Sequence, residues 1–216
     1  MSLNTKTILE AVKQIREQPE KKNFNQSIEL IINLQDIDMK KPEAKIQETI
    51  ELPHETSKKA KICVIATGEL ALKAKKAGAD LVMGKEELEA LATDKKGQKQ
   101  LANNYDAFIA EAPLMPLVGK TLGATLGPRD KMPKPVPPTA DIKAQIVKLR
   151  KAVGIRLRGQ PVIQCAVGAE DMKDEEIVEN ISAVVRRLEG KLKRGLKNIS
   201  SIYLKTSMGK PIRIKL

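Results

Sequence analysis

The chain has 216 residues, a formal net charge of +12 and 41% hydrophobic residues, which suffices for one large or two small domains with a real core. Aromatic residues make up only 2% of it, so we expect an aliphatic core and no base-stacking platform for single-stranded nucleic acid. No apolar run approaches the roughly 18 residues of a membrane-spanning helix, and the first residues do not resemble a signal peptide. Cys63 and Cys165 each stand alone in an apolar run, so we expect buried thiols, no disulfide, no metal site and a cytoplasmic location.

Positive charge is concentrated toward the C-terminal end. Residues 1–55 carry a net charge of −2, residues 56–153 carry +8 and residues 154–216 carry +6. The stretch 186–216 holds 10 basic residues and 1 acidic residue. A cationic protein usually binds an anionic partner, and with so few aromatic residues we favour a folded RNA that is read by its backbone and shape. Acidic proteins and membrane surfaces remain the alternatives at this point.

The first 55 residues predict one helix and two strands. Apolar residues at helical spacing predict a helix over residues 5–16, and β-branched residues predict a strand over residues 24–34 with Glu29 on its polar face. Residues 44–52 predict a second strand, which we expect to pair with the first. The polar, proline-containing stretch 53–59 predicts a linker. His54 within it has neither metal-ligand nor catalytic spacing, so we interpret it as structural.

Residues 56–122 alternate between strands and helices, the pattern of a parallel, Rossmann-like sheet. The predicted strands are residues 61–66, 79–83 and 106–110, and the predicted helices are residues 69–76, 86–92 and 112–122. Gly78 is placed as the C-cap of the first of these helices. The pattern also allows a nucleotide-binding enzyme. However, no glycine fingerprint follows the first strand, and Gly119-Lys120-Thr121 lacks the upstream glycine of a phosphate-binding loop.

Residues 123–138 contain five prolines and predict an irregular loop. A stiff basic loop can contact phosphates at a small ordering cost, and its cations are Arg129, Lys131 and Lys134. A plain surface loop is the other interpretation.

The C-terminal part returns to strands joined by tight turns and an amphipathic helix. A helix is predicted from residue 139 or 141 to about residue 152, with Gly154 as a second hinge. Strands are predicted at residues 155–158 and 161–167, and a helix begins at Asp174. Residues 199–204 and 211–216 predict a hairpin. Its connection, residues 205–210, combines hydroxyls, a glycine and two lysines, which suits either a polyanion ligand or an ordinary polar turn.

The simplest architecture is a discontinuous α+β domain with an inserted domain. Residues 1–55 and 154–216 would form the α+β domain. Residues 56–153 would form an α/β, Rossmann-like, three-layer domain inserted through two linkers, an arrangement that allows the domains to move relative to each other.

Three stretches carry a family resemblance. They are Gly68-Glu69-Leu70-Ala71 with Ala77-Gly78-Ala79-Asp80, then Leu126-Gly127-Pro128-Arg129 with Met132-Pro133, and Thr206-Ser207-Met208-Gly209. With these motifs the chain resembles, over almost its whole length, the universal large-subunit ribosomal protein of the L-one family in its archaeal form.

The resemblance implies a structural protein of the mobile stalk in the large ribosomal subunit, without catalysis or cofactor. The implied partners are a junction in large-subunit ribosomal RNA, the exit-site tRNA and the protein's own mRNA, whose translation it would repress. We expect the free protein to be a monomer.

The resemblance also implies which residues contact RNA. The main contacts fall on the discontinuous domain, at Phe24, Ser27, Glu29, Ser201, Thr206, Ser207, Met208, Gly209 and Lys210. Secondary contacts fall on Arg129, Lys131 and Lys134 of the inserted domain. The chain departs from the family at the first linker, where Leu52-Pro53-His54-Glu55-Thr56-Ser57-Lys58 lacks the usual glycines. That departure puts the freedom of the hinge in question and leaves the RNA contacts unaffected.

Overall fold

A computed structural model describes residues 4–17, 23–37, 46–56, 59–157 and 159–214. By its internal contacts the chain divides into two compact units. The first unit combines Met1–Lys58 with Lys151–Leu216, and the second unit is Lys59–Arg150. The assignment of RNA binding to the first unit stays a prediction. Parts of three predicted strands, at Ala44 and Lys45, at Arg158, and at residues 215–216, lie outside the described residues.

The secondary structure of the described residues, in chain order, is as follows. The elements are α1 (Thr5–Arg16), β1 (Ser27–Leu34), β2 (Gln47–Glu51), β3 (Ile62–Ile65), α2 (Gly68–Lys76), β4 (Leu81–Met83), α3 (Lys85–Ala90), α4 (Lys95–Asn104), β5 (Ala107–Glu111), α5 (Met115–Thr121), α6 (Gly123–Leu126), β6 (Lys134–Val136), α7 (Ile142–Arg150), β7 (Ala152–Arg156), β8 (Val162–Ala169), α8 (Asp174–Glu189), β9 (Ile199–Thr206) and β10 (Ile212–Ile214).

The central sheet of the first unit is antiparallel and has the strand order β10-β9-β1-β8. Along β1, half-buried residues alternate with buried ones, as expected when one face of a strand meets a core. The buried side chains Ile28, Leu30, Ile32 and Leu34 share one apolar cluster with residues of α1 and α8. The two helices therefore cover one face of the sheet, and the other face carries the half-buried side chains of β1.

Strand β2 pairs with β7 and not with β1, so the prediction that it joins the first strand is wrong. The reason is that both edges of β1 are already taken, by β8 and by β9. Gly154 lies inside β7 opposite Thr49, so a paired strand stands where we predicted the second hinge. The Leu52 N–H donates to the Lys151 carbonyl at 2.9 Å, which extends this pairing to the point where the second unit is inserted.

The second unit is built on a parallel sheet with the order β4-β3-β5-β6, which confirms the prediction of a parallel α/β sheet. Every residue of β3 is buried, as expected of a strand covered on both faces. Helices α2 and α7 share an apolar cluster with Val64, and α3 to α6 share another with Cys63. Gly78 follows α2 with a φ of +80°, which confirms it as the glycine of the helix C-terminus.

Asp80 joins the two ends of the second unit. Its Oδ2 accepts the Ile62 N–H at 2.8 Å and lies 3.8 Å from Nη2 of Arg150. Arg150 Nη2 also donates to the Gly78 carbonyl at 2.7 Å. The first strand of the unit and its last residue are therefore held at one carboxylate.

Residues 123–138 do not form an irregular loop, so that prediction is wrong. The segment forms α6, a 3₁₀ turn over Gly127–Arg129 and strand β6. Leu122 and Leu126 are four residues apart and fully buried, which gives the short helix an apolar side. Pro135 is compatible with β6 because β6 is an edge strand, where a missing backbone donor is tolerated.

Candidate nucleic-acid interface

The two segments predicted to contact RNA meet at one end of the β1–β9 pair. The Ser207 N–H donates to the Ser27 carbonyl at 3.0 Å, and Ser207 Oγ donates to the same oxygen at 3.4 Å. The Met208 N–H donates to Gln26 Oε1 at 3.0 Å. Residues 24–29 and 206–209 therefore form one surface, although 180 positions separate Ser27 from Ser207. We call it the β1–loop surface.

Two large apolar side chains protrude at the β1–loop surface. Phe24 is 53% exposed and Met208 is 62% exposed. Phe24 lies two residues before Gln26, which holds the Met208 backbone. Apolar side chains gain stability when a ligand removes them from water, and both side chains are accessible for such a contact.

Gly209 closes the turn of this loop with its N–H donating to the Thr206 carbonyl at 3.2 Å. It is half-buried and is not among the described glycines with a positive φ. The φ angle therefore does not by itself require glycine at position 209. What glycine provides is the absence of a side chain, which lets a ligand approach the backbone.

Glu29 lies on the half-buried face of β1, directly opposite Lys205 of β9. Lys205 Nζ lies 3.9 Å from Glu29 Oε2 and donates to the Ser207 carbonyl at 3.1 Å. The lysine is thereby held alongside the loop, with Lys210 exposed at the loop's far end. The sequence identified Lys205 only as one of two lysines in the 205–210 connection, and its place opposite Glu29 is visible only once the strand register is known.

Ser201 and Thr206 are buried, with 8% and 5% of their surface exposed. Thr206 pairs with Ile28 and therefore shares the core-facing side of the sheet. Ser201 lies opposite Asn33, and its hydroxyl oxygen accepts a hydrogen bond from Asn33 Nδ2 at 2.9 Å. Direct RNA contact by these two hydroxyls stays a prediction, and their burial does not favour it.

A buried polar network supports the loop from beneath. Gln26 is only 2% exposed. Its Nε2 donates to Glu170 Oε1 at 2.9 Å and its backbone N–H donates to Glu170 Oε2 at 3.2 Å, while the Glu170 N–H donates to the Gln26 carbonyl at 3.0 Å. Arg16 of α1 in turn donates to the Glu170 carbonyl at 3.1 Å and lies 2.8 Å from Asp174. Sequence reasoning missed Gln26 and Glu170, because nothing in the local pattern separates them from solvated polar residues.

Lys131 is engaged at the end of α4. Its Nζ donates to the Ala102 carbonyl at 2.9 Å and to the Tyr105 carbonyl at 2.7 Å. A cation that binds the last carbonyls of a helix stabilises its C-terminus. The ammonium is therefore already used inside the second unit, and its predicted RNA contact stays a prediction.

The other two predicted secondary contacts differ from each other. Arg129 Nη1 donates to Asn103 Oδ1 at 2.6 Å, so this side chain also lies along α4. Lys134 is exposed at the first position of β6. Their contact with RNA stays a prediction, for which Lys134 has the more accessible side chain.

The sheet of the second unit changes direction between β3 and β5, the place where α/β proteins usually bind ligands. Thr67 lies there, just before α2. Glu111 Oε2 accepts the Thr67 N–H at 3.0 Å and the Thr67 hydroxyl at 2.9 Å, and Glu111 is 9% exposed. A nucleotide phosphate at this position would meet a carboxylate instead of free donors, which argues against the nucleotide-binding alternative.

The cysteines are inert core residues. Both are free, and burial raises the pKa of the Cys63 thiol and of the Cys165 thiol to about 12, with the nearby Glu87 charge adding to the effect at Cys63. Among the described residues, no group of three or more His, Cys, Asp or Glu side chains could hold a metal ion. None of the described helices is both long and apolar enough to span a bilayer.

A family model described as "Ribosomal protein L1p/L10e family" matches residues 12–210. The chain belongs to this family. The "Large ribosomal subunit protein uL1" of Methanothermobacter thermautotrophicus is 49% identical over 207 residues, which cover 96% of this chain and 98% of that protein. The protein of the same name from Pyrococcus abyssi is 45% identical over 216 residues, which cover 100% of this chain and 98% of the relative. The resemblance drawn from the three motifs is confirmed.

In this member of the L1p/L10e family, the residues that follow β2 are anchored on α8. The His54 N–H donates to Asn180 Oδ1 at 3.0 Å, and Asn180 Nδ2 donates to the His54 carbonyl at 3.2 Å. His54 Nε2 also lies 2.7 Å from Glu179 Oε2. His54 therefore fixes the start of the glycine-poor linker within the first unit.

Proposed function

We propose that the protein is a non-enzymatic, structural component of the large ribosomal subunit that binds a junction in large-subunit ribosomal RNA. Relatives that match nearly the whole chain carry the name of a large ribosomal subunit protein. The net charge of +12 suits a polyanionic partner. The observation that carries the proposal is the bond from the Met208 N–H to Gln26 Oε1, because it joins the two candidate RNA-binding segments into one surface.

In the proposed mechanism the β1–loop surface lies on the minor groove of the RNA, which is wide and shallow in A-form helices and displays 2′-hydroxyls. Phe24 and Met208 pack on sugars or bases. The Ser207 hydroxyl, which donates to the Ser27 carbonyl at the long distance of 3.4 Å, turns to a 2′-OH. Gly209 lets the RNA approach the backbone, and neighbouring lysines add a salt-dependent attraction to phosphates.

On the assembled subunit the protein would assist release of deacylated tRNA from the exit site. A copy of the same junction in the protein's own mRNA would occupy the same surface and repress translation. Because one surface serves both RNAs, ribosomal RNA should relieve the repression. Translation of the protein's mRNA in a reconstituted system should fall when purified protein is added and recover when large-subunit ribosomal RNA is added. Repression that ribosomal RNA leaves unchanged would contradict the shared surface.

Replacement of an exposed side chain tests the site. We expect Met208→Ala to weaken binding to deproteinised large-subunit ribosomal RNA by about five- to twentyfold, the usual cost of truncating a central apolar contact. Leu72→Ala is the matched control, since Leu72 is 61% exposed but lies on α2 of the second unit. Affinities come from gel-shift titration, with co-sedimentation on large subunits at low and high salt as an independent check. Equal affinity of the two variants would refute the site.

A further inference from the structure

Glu170 lies just after β8 and outside both segments of the β1–loop surface, yet its carboxylate is bonded to the residue that holds the loop. We propose that Glu170 is a positioning residue for RNA recognition, which acts through Gln26 to fix the Met208 backbone. This inference rests on the proposed function, because it concerns the same surface.

The direction of the hydrogen bonds carries the argument. Gln26 offers one donor end and one acceptor end, whereas an ionised carboxylate only accepts. Glu170 therefore takes the NH₂ group of Gln26, at 2.9 Å, and leaves Oε1 facing the Met208 N–H at 3.0 Å. If the amide turned over, its NH₂ would face the Met208 N–H and its oxygen would face the carboxylate, so two repulsions would replace two bonds. The carboxylate thus selects the only orientation in which Gln26 can hold the loop.

The positioning group is itself held in place. The Glu170 N–H donates to the Gln26 carbonyl at 3.0 Å, and Arg16 of α1 donates to the Glu170 carbonyl at 3.1 Å. Gln26 is 2% exposed, so water cannot readily replace a bond that its amide loses. The network therefore ties the loop to the helix layer of the first unit and orders Met208 before RNA arrives, which reduces the ordering cost of binding.

The direction in which RNA affinity changes when Glu170 is replaced distinguishes a positioning role from a simple effect of its charge. An acid close to an RNA-binding surface repels phosphates, so removing its charge alone should strengthen binding or leave it unchanged. A positioning role predicts weaker binding instead, because the amide introduced by Glu170→Gln does not dictate the orientation of the Gln26 amide as a carboxylate does. Glu10→Gln is the matched control, because Glu10 is an exposed acid on α1 of the same unit.

The test measures binding to deproteinised large-subunit ribosomal RNA in competition with heparin. We expect Glu170→Gln to weaken binding about three- to tenfold with the same salt dependence, while Glu10→Gln binds as tightly as the wild type or slightly more tightly. Gln26→Glu places two carboxylates against each other and should weaken binding more than tenfold. The double variant restores a donor at position 170 and an acceptor at position 26, so its affinity should return to within about threefold of the wild type.

Hydrogen exchange at the Met208 amide gives a second readout that a merely structural role would not move. It should be faster in Glu170→Gln, remain slow in Glu10→Gln and become slow again in the double variant.

Equal affinity of Glu170→Gln and the wild type, or a double variant that binds no better than Gln26→Glu, would overturn the positioning role. If Gln26→Glu does not fold, the RNA affinity of Glu170→Gln and the hydrogen exchange of its Met208 amide are sufficient to test the positioning role. If the wild-type protein itself does not prefer ribosomal RNA to heparin, the proposed function falls, and the inference with it.

Discussion

Gly209 differs from the glycines of this chain whose backbone conformation requires glycine. Gly68, Gly78, Gly159 and Gly195 have positive φ angles, which other residues adopt only with strain. Gly209 is not one of them. In the proposed RNA-binding role its lack of a side chain would let the ligand approach the backbone, so substitution should affect binding more than folding.

We expect Gly209→Val to weaken binding to large-subunit ribosomal RNA at least tenfold and to change the free energy of unfolding by less than about 1 kcal/mol. Gly78→Val should do the reverse, because a β-branched residue at a φ of +80° is strained, while that turn lies in the second unit and outside the proposed RNA-binding surface. Urea unfolding and gel-shift titration of both variants measure the two effects. A Gly209→Val protein that unfolds early but binds normally when folded would contradict this assignment.

The buried thiols should make stability depend on pH in the alkaline range. Each thiol loses its proton near its ordinary pKa of 9.0 in the unfolded chain and only near about 12 in the folded protein. Between these values the folded state binds more protons, so the free energy of unfolding falls as pH rises, by about 1.4 kcal/mol per pH unit for each thiol. Well below pH 9 the thiols contribute no such slope, because both states keep them protonated.

Replacing Cys63 and Cys165 by alanine should remove this part of the pH dependence. The measurement is the free energy of unfolding from urea titrations at several pH values between 8 and 10.5, compared between the wild type and the double variant. Loss of packing lowers the stability of the variant at every pH, so the slope is the informative quantity. Identical slopes would show that the thiols do not titrate on unfolding.

At the scale of elements, the end of α4 depends on one lysine. Lys131 donates to two carbonyls there, at 2.9 and 2.7 Å, whereas Lys134 is exposed. We expect Lys131→Met to lower the free energy of unfolding of the second unit by about 1–3 kcal/mol, as loss of charge-assisted bonds does. Lys134→Met should change it by less than about 0.5 kcal/mol. Thermal unfolding followed by circular dichroism compares the two, and equal stability would argue against the capping role.

Helix α4 also shows where sequence patterns fail. Its segment KKGQKQLANN has few apolar residues, and one of its buried positions is Gln98. The Gln98 amide donates to the Leu91 carbonyl at 2.8 Å and accepts the Thr125 hydroxyl at 3.1 Å. A buried polar residue looks like a surface residue in the sequence, so apolar periodicity could not reveal this helix. Helix α8, by contrast, has apolar residues at regular helical spacing, and its predicted start at Asp174 is confirmed.

The candidate site likewise has residues that the sequence reveals and residues that it hides. The motif Thr206-Ser207-Met208-Gly209 could be found in the sequence because its residues are adjacent. Gln26 and Glu170 could not, since their bonds reach across 182 and 144 positions. Strand register was equally hidden, and it is the register that turns Thr206 toward the core and leaves Lys205 beside Glu29.

At the scale of the whole molecule, the second unit is inserted at the end of the β2–β7 pair, where these two strands of the first unit are already hydrogen-bonded to each other. The pair of β2 with β7 extends to the bond between Leu52 and Lys151. If residues 59–150 are deleted and Lys58 is joined to Lys151, residues 53–58 become the loop of a hairpin. The β1–loop surface lies wholly within the remaining chain.

We therefore expect the deletion variant to fold and to bind large-subunit ribosomal RNA within about threefold of the full chain at low salt. Its affinity should depend less steeply on salt, because the removed segment has an excess of lysine and arginine. Circular dichroism and gel-shift titrations at several salt concentrations test both points. A folded variant that loses more than tenfold in affinity would show that the second unit contributes to the RNA site.

Asp80 has a consequence for the order of folding. In the unfolded chain, pairing Leu52 with Lys151 closes a loop of roughly 100 residues, at an entropic cost of about 4 kcal/mol. Once the second unit has folded, Ile62 and Arg150 are held at Asp80, and only the short connecting residues remain to be closed. That lowers the entropic cost by about 2 kcal/mol. The inserted unit should therefore fold first and accelerate assembly of the unit that surrounds it.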